Sequence, residues 1–153
     1  MSIEHIHPMI VHFPIVLAVM ALLFDLWAVT IARRAGGPFA SLQPGAVMLA
    51  GAGLMAVAAY FFGDMALDVA MSRGFSEAQL ETHEGWGTTT AIVLAVIGLL
   101  RFVMWRRQLD RSSKGAALAV ALGVTAVVMV SVTAYFGGQL VYGLGVNVKP
   151  LAG

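Results

Sequence analysis

Apolar residues in this chain fall into four long runs, not at the 3.6- or 2-residue spacing of half-buried soluble helices or strands. The runs cover about residues 8–32, 44–71, 81–105 and 115–141. Each supplies the roughly 20 residues that a helix needs to cross a bilayer. Proline stands at or near the start of the first two, where its missing N–H costs nothing. Between the runs lie the polar breaks ARRAGGPFASLQP, SRGFSEAQ and RRQLDRSSK. The pattern predicts an all-α protein, a four-transmembrane-helix up-down bundle forming a single membrane domain over residues 1–153.

An internal echo divides the bundle into two similar hairpins. Ala59-Tyr60-Phe61-Phe62-Gly63 near the end of the second run resembles Ala134-Tyr135-Phe136-Gly137-Gly138 near the end of the fourth. A second echo, IVLAV at Ile15 and at Ile92, is plain apolar sequence and carries less.

Composition agrees. Of 153 residues 59% are hydrophobic and 11% charged, where a soluble domain carries about a quarter charged. The surplus apolar surface must face lipid. A net charge of +1 gives no reason to invoke nucleic acid. The absence of cysteine excludes thiolate metal sites, iron–sulfur ligation and covalent haem attachment. The opening MSIEHIHP carries no Lys or Arg and the run after it is too long for a cleaved signal, so the first helix is expected to remain in the mature protein.

Basic residues orient the spans. Arg33 and Arg34 lie in the first break, and Arg106, Arg107, Arg111 and Lys114 in the third, against Arg73 and Lys149 at the opposite end. The positive-inside bias makes both basic breaks cytoplasmic and both termini periplasmic, in a multi-pass inner-membrane protein.

That topology gathers all four histidines at the outer face. His5, His7 and His12 open the first helix, Asp64 and Asp68 close the second, Glu81, His83 and Glu84 open the third, and Tyr135, Gln139 and Tyr142 close the fourth. His12 and His83 stand out because each lies within an apolar run, where an imidazole is costly unless satisfied or ligating. Pro14 removes the hydrogen bond to the Ile10 carbonyl and is expected to kink the helix beside His12. Histidine at headgroup depth needs no special role, and that reading suits His5; His7, preceding proline, reads equally as a helix cap. Tyr135, Tyr142 and Trp86 read as belt aromatics, and the nine methionines as core filler. Gly87, one turn beyond His83, lies where a flat ring ligated by His83 would rest. At the other end Asp25 and Arg101 fall at similar depth and are expected to form a structural ion pair.

The motif His7-Pro8-Met9-Ile10-Val11-His12-Phe13-Pro14-Ile15 resembles the HPxxVHFPI opening of a bacterial predicted-membrane-protein family, domain of unknown function 2231. Gly137-Gly138-Gln139-Leu140-Val141-Tyr142, with Gly145-Val146, resembles its GGxLVYxxGVxV close. Gly63-Asp64 and His83 also stand where that family tends to have Gly/Asp and His. The resemblance implies company with Rieske and c-type cytochrome modules, hence redox work at the outer face of a bacterial inner membrane. Family members often carry a His after LVY, where this chain has Gly143-Leu144, and an acid where it has Gln139.

Three readings follow. The first is haem b held between His12 and His83, with Gly87 beside it, in an electron-transfer protein serving a cytochrome c, a Rieske-type protein or a quinol. The second is zinc or copper on His7, His12, His83 and Asp64. The third is an accessory subunit of a larger complex, or an oligomer, binding no cofactor. No nucleophile elbow, phosphate loop or HExxH is present, so an electron-transfer or accessory role is expected before an enzymatic one.

Overall fold

The computed structural model describes residues 6–35, 42–146 and 148; His5 lies outside them. Helix α1 (Ile6–Ile10) and helix α2 (His12–Ala35) form the first span, α3 (Gln43–Ser72) the second, α4 (Glu77–Arg106) the third and α5 (Ser113–Gly138) the fourth. A π-helical turn, Gln139–Gly143, prolongs α5, and a 3-10 turn, Leu109–Arg111, links α4 to α5. Among the described residues there are four apolar helical spans of 30, 30, 30 and 31 residues. At 1.5 Å per residue each is about 45 Å long, enough for the hydrocarbon and both interfaces.

The elements begin and end for local reasons. The first span breaks at Val11, between α1 and α2, three residues before Pro14, whose ring cannot donate to Ile10. Pro44 occupies the first turn of α3. Helix α4 starts at Glu77, four residues before the apolar run, because Ser76 and Gln79 form a capping box in which the Gln79 carboxamide accepts the Ser76 N–H at 2.9 Å. Ser112 caps α5 by accepting the Gly115 N–H at 3.0 Å.

Helix α2 packs on α3 and α5, and α4 packs on the same two, closing an up-down ring. Its core is built largely of small residues: Ala18, Ala21, Ala52, Ala56, Ala91 and Ala126 surround Leu49 and Leu94. In lipid no hydrophobic force draws helices together, so close backbone approach must supply the attraction. The approach is tightest where α3 crosses α4. A Cβ on Gly53 would lie 2.7 Å from the Leu94 carbonyl oxygen, and one on Gly98 would lie 2.8 Å from that of Leu49. Bulky side chains such as Leu54, Phe61, Ile92 and Leu99 point outward instead.

The expected Asp25–Arg101 pair forms. One guanidinium nitrogen, Arg101 Nη2, donates to Asp25 Oδ2 at 2.8 Å and Oδ1 at 3.0 Å, and both side chains are fully buried. Arg101 also reaches the Leu42 carbonyl at 3.5 Å. Asp110 folds inward from the α4–α5 loop and accepts the Leu42 N–H at 3.3 Å. The chain entering α3 is therefore gripped at both backbone groups of Leu42. Gly45 leaves room for the Asp25 carboxylate, into which any Cβ there would collide. Gly45→Ala is accordingly expected to lower stability by about 2–4 kcal/mol, read from thermal or denaturant unfolding in detergent.

Candidate functional site

A cavity of about 450 Å³ lies at the end of the bundle where α1 and α4 begin and α3 and α5 finish. His7, Pro8 and His12 line it from the first span, and Tyr60, Gly63 and Asp64 from α3. His83, Glu84, Gly87 and Thr90 line it from α4, and Thr133, Gly137, Gly138 and Tyr142 from the fourth span. Most of the remaining wall is aliphatic. The π-helical turn helps to close it: Leu140 is turned inward against Ala70, Leu80 and Val146.

Two of the histidines meet inside this end of the bundle, and they are His7 and His83. Their ring centroids are 6.3 Å apart, edge to face, with an interplanar angle of 76°. His12, expected from its depth to oppose His83, is exposed and makes no ring contact or hydrogen bond among the described residues. The reason is angular. Residues 7 and 12 are five apart, about 140° around an ideal helix, and the helix is broken between them at Val11, so His7 reaches across to α3 while His12 stays exposed at the cavity rim. Nor does His7 cap a helix end: it lies inside α1, and its ring reaches across to α3.

The two sites are built alike. His7 Nδ1 donates to the Ala59 carbonyl at 2.9 Å. Since a carbonyl only accepts, Nδ1 carries the proton and Nε2 of the neutral ring keeps its lone pair. The Nδ1–Cε1 side of the ring packs closely on α3 because residue 63 is glycine; a Cβ there would stand 3.0 Å from His7 Cε1. In the second hairpin a Cβ on Gly137 would stand 3.0 Å from His83 Cε1. Ala59 and Thr133 each precede the glycine by one turn. The Thr133 carbonyl stands beside the His83 ring, but outside hydrogen-bonding geometry for Nδ1, which is buried and without a partner among the described residues. The repeat thus equates Gly63 with Gly137, one residue away from the Gly63–Gly138 match that the sequence echo suggests.

Several contributors were not singled out by sequence. Thr90 and Thr133 join α4 to α5 by a 2.7 Å hydroxyl–hydroxyl bond, and Thr133 also donates to the Trp86 carbonyl at 3.2 Å. Trp86 stacks on Phe136 with centroids 6.1 Å apart, so it has a packing role besides its place at the interface. Asp64 borders the cavity while Asp68 is exposed and does not. Among the described residues no three His, Asp or Glu side chains group closely enough to hold a metal ion.

Glycines on the wall divide into two kinds. Gly63 is required by the chain's own packing. Gly87 is not, since a Cβ there would meet nothing within 4 Å. Gly63→Val is therefore expected to lower the unfolding midpoint, at a cost of about 1–3 kcal/mol. Gly87→Val should leave the midpoint unchanged while filling part of the cavity.

A family model described as predicted membrane protein (DUF2231) matches residues 4–150. The chain belongs to this family. The match spans both histidines, both partner glycines and all four helices, so the whole bundle is the family's unit. No curated protein and no solved structure matches the chain.

Proposed function

We propose that this membrane protein of the DUF2231 family binds haem b at its histidine-bearing end, where His7 and His83 would hold it, and carries electrons there. The observation that carries the reading is the facing pair, one imidazole from each hairpin. The two rings lie 6.3 Å apart between centroids, near enough that both would hold one bound group. A metal-binding histidine usually donates its other ring N–H to a carbonyl or carboxylate, as His7 does to Ala59. Gly87 and the mostly aliphatic cavity offer space for a flat apolar ring.

Bound haem would supply one-electron chemistry at iron. The chain's own part is to orient two imidazoles, exclude water with Leu140 and the alanine-lined wall, and hold the group within the bundle. The arginine-rich breaks favour the opposite end as cytoplasmic, which would put the site at the periplasmic face. There a cytochrome c, a Rieske-type protein or a quinol is within reach as a partner. Zinc or copper on His7, His12, His83 and Asp64 is the alternative. Two neighbouring imidazoles favour haem over it, because a macrocycle brings its own donors whereas a bare ion needs three or four from the protein.

The test is an absorption spectrum with metal analysis on protein purified from haem-sufficient cells. A Soret band with stoichiometric iron is expected. Stoichiometric zinc or copper would favour the alternative, and a colourless, metal-free protein would leave an accessory role.

A further inference from the structure

The opposite end of the bundle carries a second site, independent of the haem reading. The α4–α5 loop is organised by one inward carboxylate: Asp110 is 1% exposed and bound to the Leu42 N–H. Gln108 takes a left-handed conformation, φ 57°, to begin the 3-10 turn. Ser112 fastens the far side by donating to the Leu109 carbonyl at 3.2 Å while accepting from Gly115. This geometry leaves a depression of about 210 Å³ just beyond the last turn of α4, lined by Trp105, Arg106, Gln108 and Arg111. The loop's acid points the other way, so both charged groups lining the depression are guanidinium ions. The Arg106 guanidinium lies over the Trp105 ring, 5.8 Å from its centroid, which favours a fixed position over free rotation in solvent.

We propose that this depression binds the phosphodiester of an anionic phospholipid. Planar guanidinium forks match phosphate oxygens two at a time, and the Gln108 carboxamide adds an uncharged donor. The membrane is the source of the phosphate because the depression sits at the end of a helix long and apolar enough to span it, beside a tryptophan, a residue type enriched at headgroup level. A basic pocket at such a level selects anionic over zwitterionic headgroups.

Native mass spectrometry of the full chain in detergent, titrated with phosphatidylglycerol or phosphatidylethanolamine, tests this. The double variant R106Q/R111Q is compared with R33Q/R34Q, which removes the same charge from the end of α2 without touching the depression. R106Q/R111Q is expected to weaken phosphatidylglycerol binding roughly thirtyfold, two cationic contacts' worth. R33Q/R34Q should weaken it less than about threefold, and phosphatidylethanolamine should respond to neither. Equal losses in the two variants would mean general surface charge and overturn the proposal, as would no loss in R106Q/R111Q. Inorganic phosphate is titrated in parallel: binding as tight as the lipid's, and dependent on the same arginines, would make free phosphate the ligand and overturn the lipid assignment. If the double variant does not accumulate, Arg111→Gln on the exposed loop is read instead, with an expected loss of roughly fivefold.

Discussion

His7→Ala and His83→Ala are each expected to reduce bound haem by at least about tenfold, whereas His12→Ala should leave the Soret band intact. Depth alone ranks His12 beside His83, and rotation about the helix axis reverses that ranking. His7 has a fixed tautomer through Ala59, a glycine to pack against, and His83 nearby; His12 has none of these. If His7 and His83 hold haem as proposed, removing either would take away half of the protein's ligands to it, so a large loss is expected. Losing a cavity-rim residue costs a few contacts. Gly87→Val sharpens the test, because reduced haem with an unchanged unfolding midpoint marks a steric block in the cavity. Free imidazole added to His7→Gly should restore part of the spectrum, which a merely structural histidine would not allow. Loss of haem in His12→Ala with retention in His7→Ala would sink the assignment of the ligand pair.

The second large effect is expected at the other end. Arg101→Met should destabilise the bundle by about 3–5 kcal/mol, since it strands the Asp25 carboxylate in a sealed site. Asp25→Asn should cost less. Arg101 lies five residues from the end of α4, about 7.5 Å, and its long side chain can snorkel toward the interface. Asp25 lies ten residues from the end of α2, about 15 Å, and has no such reach. A lost hydrogen bond inside a membrane protein averages only about 0.6 kcal/mol, so unequal and large values would identify stranded charge as the cause. The double variant Asp25→Leu/Arg101→Met should be milder than the sum of Asp25→Leu and Arg101→Met, read by denaturant unfolding in detergent. Equal small losses in the two single variants would show that the pair contributes only hydrogen bonds.

What sequence could and could not say about the site follows from what each signal measures. The Asp25–Arg101 pair was legible because a buried charge demands a partner at its own depth, and depth is a count of residues. The break beside Pro14 was legible because proline's missing donor acts locally. Thr90 and Thr133 were not, since a hydroxyl in a membrane helix ordinarily bonds its own carbonyl four residues back, as Thr125 does. The pairing of the two across α4 and α5 depends on how the helices face. The echo pairs Gly138 with Gly63 and leaves Gly137 beside it, because letter matching carries no information on which of the two glycines receives a ring. Only the contact with His83 separates them.

By itself, then, the sequence determined the four spans, their antiparallel order, the family and the gathering of histidines at one end. Run length, loop polarity and chain direction are one-dimensional properties that survive any rotation of the helices. The tertiary structure decided which histidine faces His83, which glycine receives each ring, and which way Asp110 turns. Each of those is an angle about a helix axis or the set of a loop. In an alanine-rich bundle that is apolar on every side, no hydrophobic stripe fixes such angles in advance. They are set by close backbone contact, as at Gly53 and Gly98, and by the few polar groups that must find one another inside.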